Sequence, residues 1–229
     1  MPKPTLAQKA RQNAIRRFGG AKAKKRVKLA YHLRFGRRLD RQSLNPSWEK
    51  PGYGISWDAH ITQLQVFYYG RDLFRDIARH KQRHPRKYAV LEVGCGGGSA
   101  ANDLARDPFN WFGTKVKVSA TGTSRSPLWN QYKQNVDFHV AHAEQLTRVF
   151  RPRSFNFIHS NLGIGNAKDI RQAVIECHKI LRKDGRLLFT SEKPVVIPEQ
   201  LFRRIDYKVV PIPEHEGVGT LKVYYLQKK

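Results

Sequence analysis

The segment Glu92-Val-Gly-Cys-Gly-Gly-Gly98 carries the clearest chemical signal in the chain. An acid precedes a run of glycines. The apolar residues Ala89 to Val93 read as a buried strand leading into it, and Ser99-Ala-Ala101 reads as a helix start. Glycines adopt dihedrals closed to other residues and let a backbone approach a ligand closely. A helix that begins there presents N–H groups with no intrahelical partner. Strand, glycine turn and helix in that order form the entry to a nucleotide-type site. A phosphate-binding loop would follow its glycines with Gly-Lys-Ser/Thr, which is absent here. A dinucleotide loop would place glycines at 94, 96 and 99 and an acid about 20 residues on. Position 99 is Ser99, and the second predicted strand ends without an acid.

The elements that must position this turn follow from the hydrophobic pattern. Ile61, Leu64, Phe67, Tyr68, Leu73, Phe74 and Ile77 recur at helical spacing and predict a helix over 58–81, weakened at Gly70. After the first strand, the helix Ser99–Arg106 stops at Asp107-Pro108. Strands are predicted at 115–119, 136–140, 154–159 and 186–190. A helix opening on an Asn166 cap and closing at Asp184-Gly185 precedes the last of these. Pro198 reads as the start of a short helix through Arg204, and 208–212 and 220–226 read as two last strands joined by the loop 213–219. Strands alternating with helices over 88–204 give an α/β class fold: a three-layer, Rossmann-like, mostly parallel sheet with a terminal antiparallel β-pair at its edge. Ligands of such sheets bind beyond the carboxyl ends of the strands, where the glycine turn lies.

The chain has 229 residues and is 40% hydrophobic, enough for one core with appendages. Its formal charge of +25 is unevenly spread, with +17 in residues 1–90 and +8 in residues 91–229. Residues 1–41 hold 14 Lys/Arg against one acid, Asp40. Charge this dense resists packing on itself, so residues 1–56 are expected to form a basic arm and linker, and residues 57–229 the folded domain with its leading helix. The field favours a polyanion, foremost RNA or a ribonucleoprotein bound through the Lys and Arg of residues 1–41. Tyr31 and Phe35 are placed to stack on bases or to anchor the arm, and Trp48, Tyr53 and Trp57 to line a ligand mouth or to pack. No apolar run reaches the roughly 20 residues of a membrane span. The two cysteines, Cys95 and Cys177, make no metal cluster and read as free thiols of a reducing compartment. A cytoplasmic location is expected. The acid-poor N-terminus also suits an organelle-targeting peptide, with a mitochondrial or other matrix as the alternative.

Several segments together resemble the class I S-adenosylmethionine-dependent methyltransferases. Glu92–Gly98 is similar to their first motif, and Val136-Asp-Phe-His-Val-Ala-His-Ala-Glu-Gln-Leu146 to the third strand and the turn that frames adenine. Ser154–Ser160 resembles the fourth strand, and Ile175–Phe189 the helix, turn and fifth strand. The resemblance covers 88–229 and implies S-adenosyl-L-methionine as cofactor. It implies that Gly94, Gly96 and Gly98 approach the methionyl and ribose parts and that Glu92 orients the amino group. Gly122 and Thr123 would face the ribose, Ala143 and Glu144 the adenine, and Asn161 with Leu162 the methyl group.

The chain departs from that pattern at three acids. Gly122 stands where the family has the ribose-binding acid, His142 replaces an Asp after strand three, and Asn156 replaces an Asp in strand four. Methyl transfer is an in-line displacement that needs alignment, and a base only for a poor nucleophile. His142, His159 and Glu192 are the base candidates, with Asn161 beside the methyl. The motifs of adenine-amine, pyrimidine-C5 and ribose 2′-O methylation are absent. The leading expectation is a methyltransferase acting on RNA or a ribonucleoprotein. The alternatives are a methyltransferase-fold protein with little or no turnover and a structural RNA-binding role, and a small-molecule or protein methyltransferase whose arm localises it.

Overall fold

The computed structural model describes residues 68–84, 87–107, 112, 116–211 and 220–229. The expectations for the arm 1–56, for residues 58–67 of the leading helix and for the loop 213–219 lie outside them. Among the described residues no helix is long and apolar enough to cross a membrane.

The strands are β1 (Ala89–Val93), β2 (Lys117–Gly122), β3 (Val136–Val140), β4 (Phe155–Ser160), β5 (Leu181–Ser191), β6 (Phe202–Pro211) and β7 (Thr220–Lys228). The helices are α1 (Leu73–Gln82), α2 (Ser99–Arg106), α3 (Trp129–Tyr132) and α4 (Ile170–Ile180), with a 3-10 segment over Ala143–Arg148. One 7-stranded sheet runs β3-β2-β1-β4-β5-β7-β6. Its first five strands are parallel, and β7 pairs antiparallel with β5 on one side and β6 on the other. The expected α/β class and the terminal antiparallel pair are both present.

Successive side chains of a strand point to opposite faces, and here both faces are covered. Val90, Val118, Ala120, Phe157 and Leu188 pack under α1, α2 and Trp129. Leu91, Val93, Ile158, Leu187 and Phe189 pack under α4 and the 3-10 segment. Burial on both faces explains why β1 is an apolar run rather than an alternation. Each fully buried Leu, Ile or Phe contributes about 1.5–3 kcal/mol.

Several boundaries differ from the sequence expectation, each for a local reason. Gly70 has φ +55°, outside the helical region, and Asp72 caps a new helix by accepting from the Arg75 N–H at 3.0 Å. A separate helix therefore starts at Leu73, after the π-helical turn at Tyr68 and Tyr69. Strand β2 begins later than expected and runs on to Gly122, because Thr121 and Gly122 pair with Val93 and Val140. The cap of α4 is Asp169, whose carboxylate accepts from the Gln172 N–H at 2.9 Å, rather than Asn166. That helix ends at Ile180, because Leu181 already pairs with Phe155 in the sheet. Asp184 (φ +58°) and Gly185 lie in a register irregularity of β5 instead of ending a helix. Pro198 accepts two turn hydrogen bonds, from the Leu201 and Phe202 N–H groups, and strand β6 follows where a helix was expected.

Arg71 fastens the leading helix to the terminal pair. Its guanidinium binds Asp76 at 2.8 Å, donates to Asp206 on β6 and lies 4.2 Å over the Tyr225 ring of β7.

Candidate functional site

The glycine turn is held by strand ends on both sides. Gly94 and Cys95 N–H both donate to the Thr121 carbonyl, at 2.9 and 2.8 Å. The Trp129 indole N–H donates to the Gly96 carbonyl at 2.9 Å. Ser160 at the end of β4 donates to the Val93 carbonyl at 2.8 Å and accepts from the Ile164 N–H at 2.9 Å. Gly94 has φ +75°, and a Cβ there would stand 2.6 Å from the Gly163 Cα. A side chain at either position is excluded by the other's backbone.

Beyond these strand ends lies a cavity of about 440 Å³, within the range of small-molecule and cofactor sites. It brings together Gly94, Gly96, Gly122, Thr123, Ala143, Glu144 and Asn161 from the sequence expectation. Leu162 and His142 also line it. The remaining sequence candidates lie elsewhere, each with a physical reason. Gly98 (φ +89°) is closed off by Phe138, whose ring would stand 2.6 Å from a Cβ there, so its glycine answers to packing. Glu92 is 2% exposed, is the Cα partner of His159 on the next strand, and does not line the cavity. Glu192, the residue after β5, is exposed and does not line the cavity, its carbonyl accepting from Lys222 Nζ at 2.6 Å.

His159 is fully buried, with Nδ1 3.2 Å from the Tyr69 hydroxyl, and its Nε2 has no hydrogen-bond partner. Burial lowers its pKa to about 3, so it is neutral at ordinary pH. Burial first, and the nearby Glu92 second, raise the Tyr69 hydroxyl well above its ordinary value. This pair belongs to the core, and His142 is the one base candidate of the three that reaches the cavity.

Asn161 is the most informative polar residue on the wall. It is 4% exposed, its Oδ1 accepts from the Thr190 hydroxyl at 2.8 Å, and its amide Nδ2 has no hydrogen-bond partner. Thr190 in turn accepts from the Leu162 N–H at 2.9 Å. That bond holds Leu162 at φ +61°, a left-handed conformation that costs a branched residue roughly 1–2 kcal/mol. Such strain persists where the surroundings over-determine it, commonly at ligand sites.

Two of the missing acids have structural explanations. A Cβ on Gly122 would stand 3.0 Å from the Trp129 ring and 3.2 Å from the Ser124 carbonyl, so indole occupies the space a carboxylate would enter. Asn156 is remote from the cavity. Its Oδ1 accepts from the Ala89 N–H at 3.0 Å and from Arg182 at 3.2 Å, joining the starts of β1, β4 and β5. An amide there says nothing about cofactor binding.

Sequence reasoning missed Gly163 and the wall segment Asn166-Ala167-Lys168, which reads in sequence as a helix start. The Gly163-Ile-Gly165 spacing just after β4 was the available signal. A Cβ on Gly163 would lie 2.4 Å from the Val93 carbonyl, and one on Gly165 2.4 Å from that of Thr190. Among the described residues, no three His, Cys, Asp or Glu side chains come together to hold a metal.

Residues 91–189 match the model of a family described as methyltransferase domain. Demethylmenaquinone methyltransferase of Chlorobaculum parvum is 28% identical over 130 residues, covering 55% of this chain and 50% of the relative. Malonyl-[acyl-carrier protein] O-methyltransferase of Pseudescherichia vulneris is 27% identical over 156 residues, covering 67% and 57%. This chain thus spans about half the length of the curated relatives it matches. In fold alone it is similar to the crystal structure of the [4+2]-cyclase SpnF, with a TM-score of 0.50 and 14% identity over 98% of this chain and 96% of that one. The matched segment runs from β1 through the glycine turn to β5, and over it the chain is similar to that methyltransferase domain family.

Proposed function

We propose that the protein binds S-adenosyl-L-methionine in the cavity beyond β1, β2 and β4 and transfers its methyl group to a small-molecule acceptor. The observation that carries this reading is the buried Asn161 amide, an N–H donor without a protein partner on the wall of a cavity of about 440 Å³. An orphaned buried donor costs about 1–3 kcal/mol unless a ligand meets it. The cofactor supplies a methyl group on a sulfonium, which is already electrophilic.

The chain's own residues bind, orient and exclude water. Gly94 and Gly96 present bare backbone to the ligand. Thr123 and Ser124 offer hydroxyl and backbone groups for a ribose, in place of the absent carboxylate. Ala143 and Leu162 supply apolar wall, while Glu144 accepts from the Asp169 N–H at 3.3 Å and so ties the turn after β3 to the start of α4. His142 is the residue placed to accept a proton when the acceptor is a poor nucleophile. The matched relatives are named for a quinone precursor and a carrier-bound malonyl group. Those names favour a small acceptor over the RNA acceptor expected from charge.

A second reading, methylation of RNA, is favoured by one observation: the 14 Lys/Arg and single acid of residues 1–41. One experiment addresses both. S-Adenosylhomocysteine is titrated calorimetrically into the full chain, and cell extract is then incubated with the protein and methyl-labelled cofactor. Label in the solvent-extractable fraction supports the first reading, and label in RNA supports the second. No binding of either cofactor form overturns both.

A further inference from the structure

We propose that the open edge of the sheet, along β3, is a docking groove for the sugar-phosphate backbone of a nucleic acid, separate from the cofactor cavity and independent of what that cavity methylates. The edge forms a groove of about 1300 Å³ that runs from the starts of β1, β2 and β4 along the whole of β3. Lys87, Lys117, Arg125, Lys133, Arg151 and Arg153 line it, and all six are exposed. One carboxylate, Asp137, shares the wall, and it is occupied by His139 at 3.1 Å and Lys117 at 3.8 Å. The other five cations have no carboxylate partner among the described residues. Elsewhere Lys179 pairs with Glu176 and Lys208 with Asp206.

The groove is also built. Arg182, half-buried at its floor, donates to the Lys87 carbonyl at 2.8 Å, the Arg153 carbonyl at 3.2 Å and Asn156 Oδ1 at 3.2 Å. Those bonds hold the chain segments of Lys87 and Arg153 side by side. Among the described residues, strand β3 has a sheet neighbour on one side only, β2. Its outward N–H groups therefore add hydrogen-bond donors to the row of cations. Unopposed cations around a concave edge raise the local concentration of a polyanion. At its upper end the groove meets the cofactor cavity, since Arg125 and Val140 of the groove directly follow Ser124 and precede Ala141 of the cavity wall.

A nucleic acid fits this surface better than an acidic protein. Protein interfaces concentrate their energy on exposed aromatic or large apolar anchors that become buried. The exposed apolar residues here are two valines, Val140 and Val149, while Trp129 and Phe150 are buried. Phosphate backbones need only spaced cations and donors. The total charge of +25, most of it in residues 1–90, adds a field of the same sign.

The test uses the full chain carrying Lys133→Gln, Arg151→Gln and Arg153→Gln together, with Arg182 untouched. Binding of labelled single-stranded and duplex RNA is followed by fluorescence anisotropy over a series of salt concentrations. The expected result is a plot of log K against log salt shallower by about 2, since each lost phosphate contact removes about 0.7–0.9 from the slope. Affinity at low salt should fall at least 10-fold. The matched variant Arg151→Lys/Arg153→Lys should keep wild-type binding. Unchanged slope and affinity in the triple variant overturn the proposal. So does equal competition by polyglutamate of the same charge, or a loss confined to binding of anionic lipid vesicles. An unchanged thermal midpoint and unchanged S-adenosylhomocysteine affinity in the triple variant show that the loss is the groove's own, and distinguish it from failure of the cofactor reading.

Discussion

Gly94 and Gly163 meet backbone to backbone. A Cβ added to Gly94 would lie 2.6 Å from the Gly163 Cα, and one added to Gly163 would lie 2.8 Å from the Gly94 Cα. The loop after β1 and the loop after β4 are thereby locked at a spacing that no side chain permits, and the cavity floor is set by that spacing. Gly94→Ala and Gly163→Ala should each destabilise the fold by several kcal/mol or displace one loop, since neither contact is with a flexible side-chain end. Calorimetric titration with S-adenosylhomocysteine should show a loss of at least 10-fold in either variant. Retained affinity in both would mean that the cofactor does not use this floor.

The Asn161 amide should contribute on the order of one hydrogen bond to the cofactor. Asn161→Ala is expected to weaken S-adenosylhomocysteine about 10-fold, the equivalent of about 1.4 kcal/mol. Thr190→Val, which breaks the bonds to both Asn161 and Leu162, should weaken it further and also lower the thermal midpoint. If Asn161→Ala leaves affinity untouched, the residue serves the loop alone.

Restoring the family's acid should fail. Gly122→Asp forces a side chain against the Trp129 ring and the Ser124 carbonyl, an overpacking that costs about 1–3 kcal/mol. The expected outcome in chemical unfolding is a lower midpoint, with no gain in cofactor affinity. Tighter binding in Gly122→Asp would show that Trp129 moves aside readily and that the ribose lies within reach of a carboxylate.

Two buried histidines make stability depend on acid. Burial lowers His159 to about 3, and burial together with the neighbouring His84 charge lowers His80 to about 4. His80 is held between the Tyr88 hydroxyl at 2.6 Å and the Asp184 carbonyl at 3.1 Å. Both histidines regain their ordinary values, about 6.5, on unfolding. The unfolded chain therefore binds more protons below that pH. Stability is complete above about 6.5 and declines as pH falls towards 4 and 3, by about 1.4 kcal/mol per pH unit for each histidine. Urea midpoints measured from pH 7.5 to 4 should show this slope, and His159→Leu should reduce it. A slope identical to wild type would place the acid sensitivity elsewhere.

The first glycine turn and its strand were legible because burial on both faces leaves an apolar run that breaks at residues of unusual dihedral. Gly94 and Gly96 belong to that turn, whereas Gly122 and Asn161 came from the family resemblance, which places them at the ends of the second and fourth strands. Burial of Glu92 and His159 could not be read. Their register as partners on β1 and β4 is set by pairing between segments more than 60 residues apart, which no local pattern records. Leu181–Gly185 looked helical because Arg182, Lys183 and Asp184 continue the polar rhythm of α4, yet pairing with β4 claims Leu181 first. Phe202–Arg204 looked like a helix after Pro198, yet β6 pairs there with the far end of β7, Lys228 and Gln227. Gly163 escaped notice because a single glycine in a loop has many uses, and its contact with Gly94 is tertiary.

Strand β7 follows β6 in the chain but lies inside it in the sheet, between β5 and β6. During synthesis β6 therefore leaves the ribosome before β7, its one neighbour among the described strands, has been made. Asp206, the acid that meets Arg71, waits with it. The pairing of β6 and the seating of Asp206 against Arg71 in the finished sheet can therefore come only after translation has passed the cofactor site.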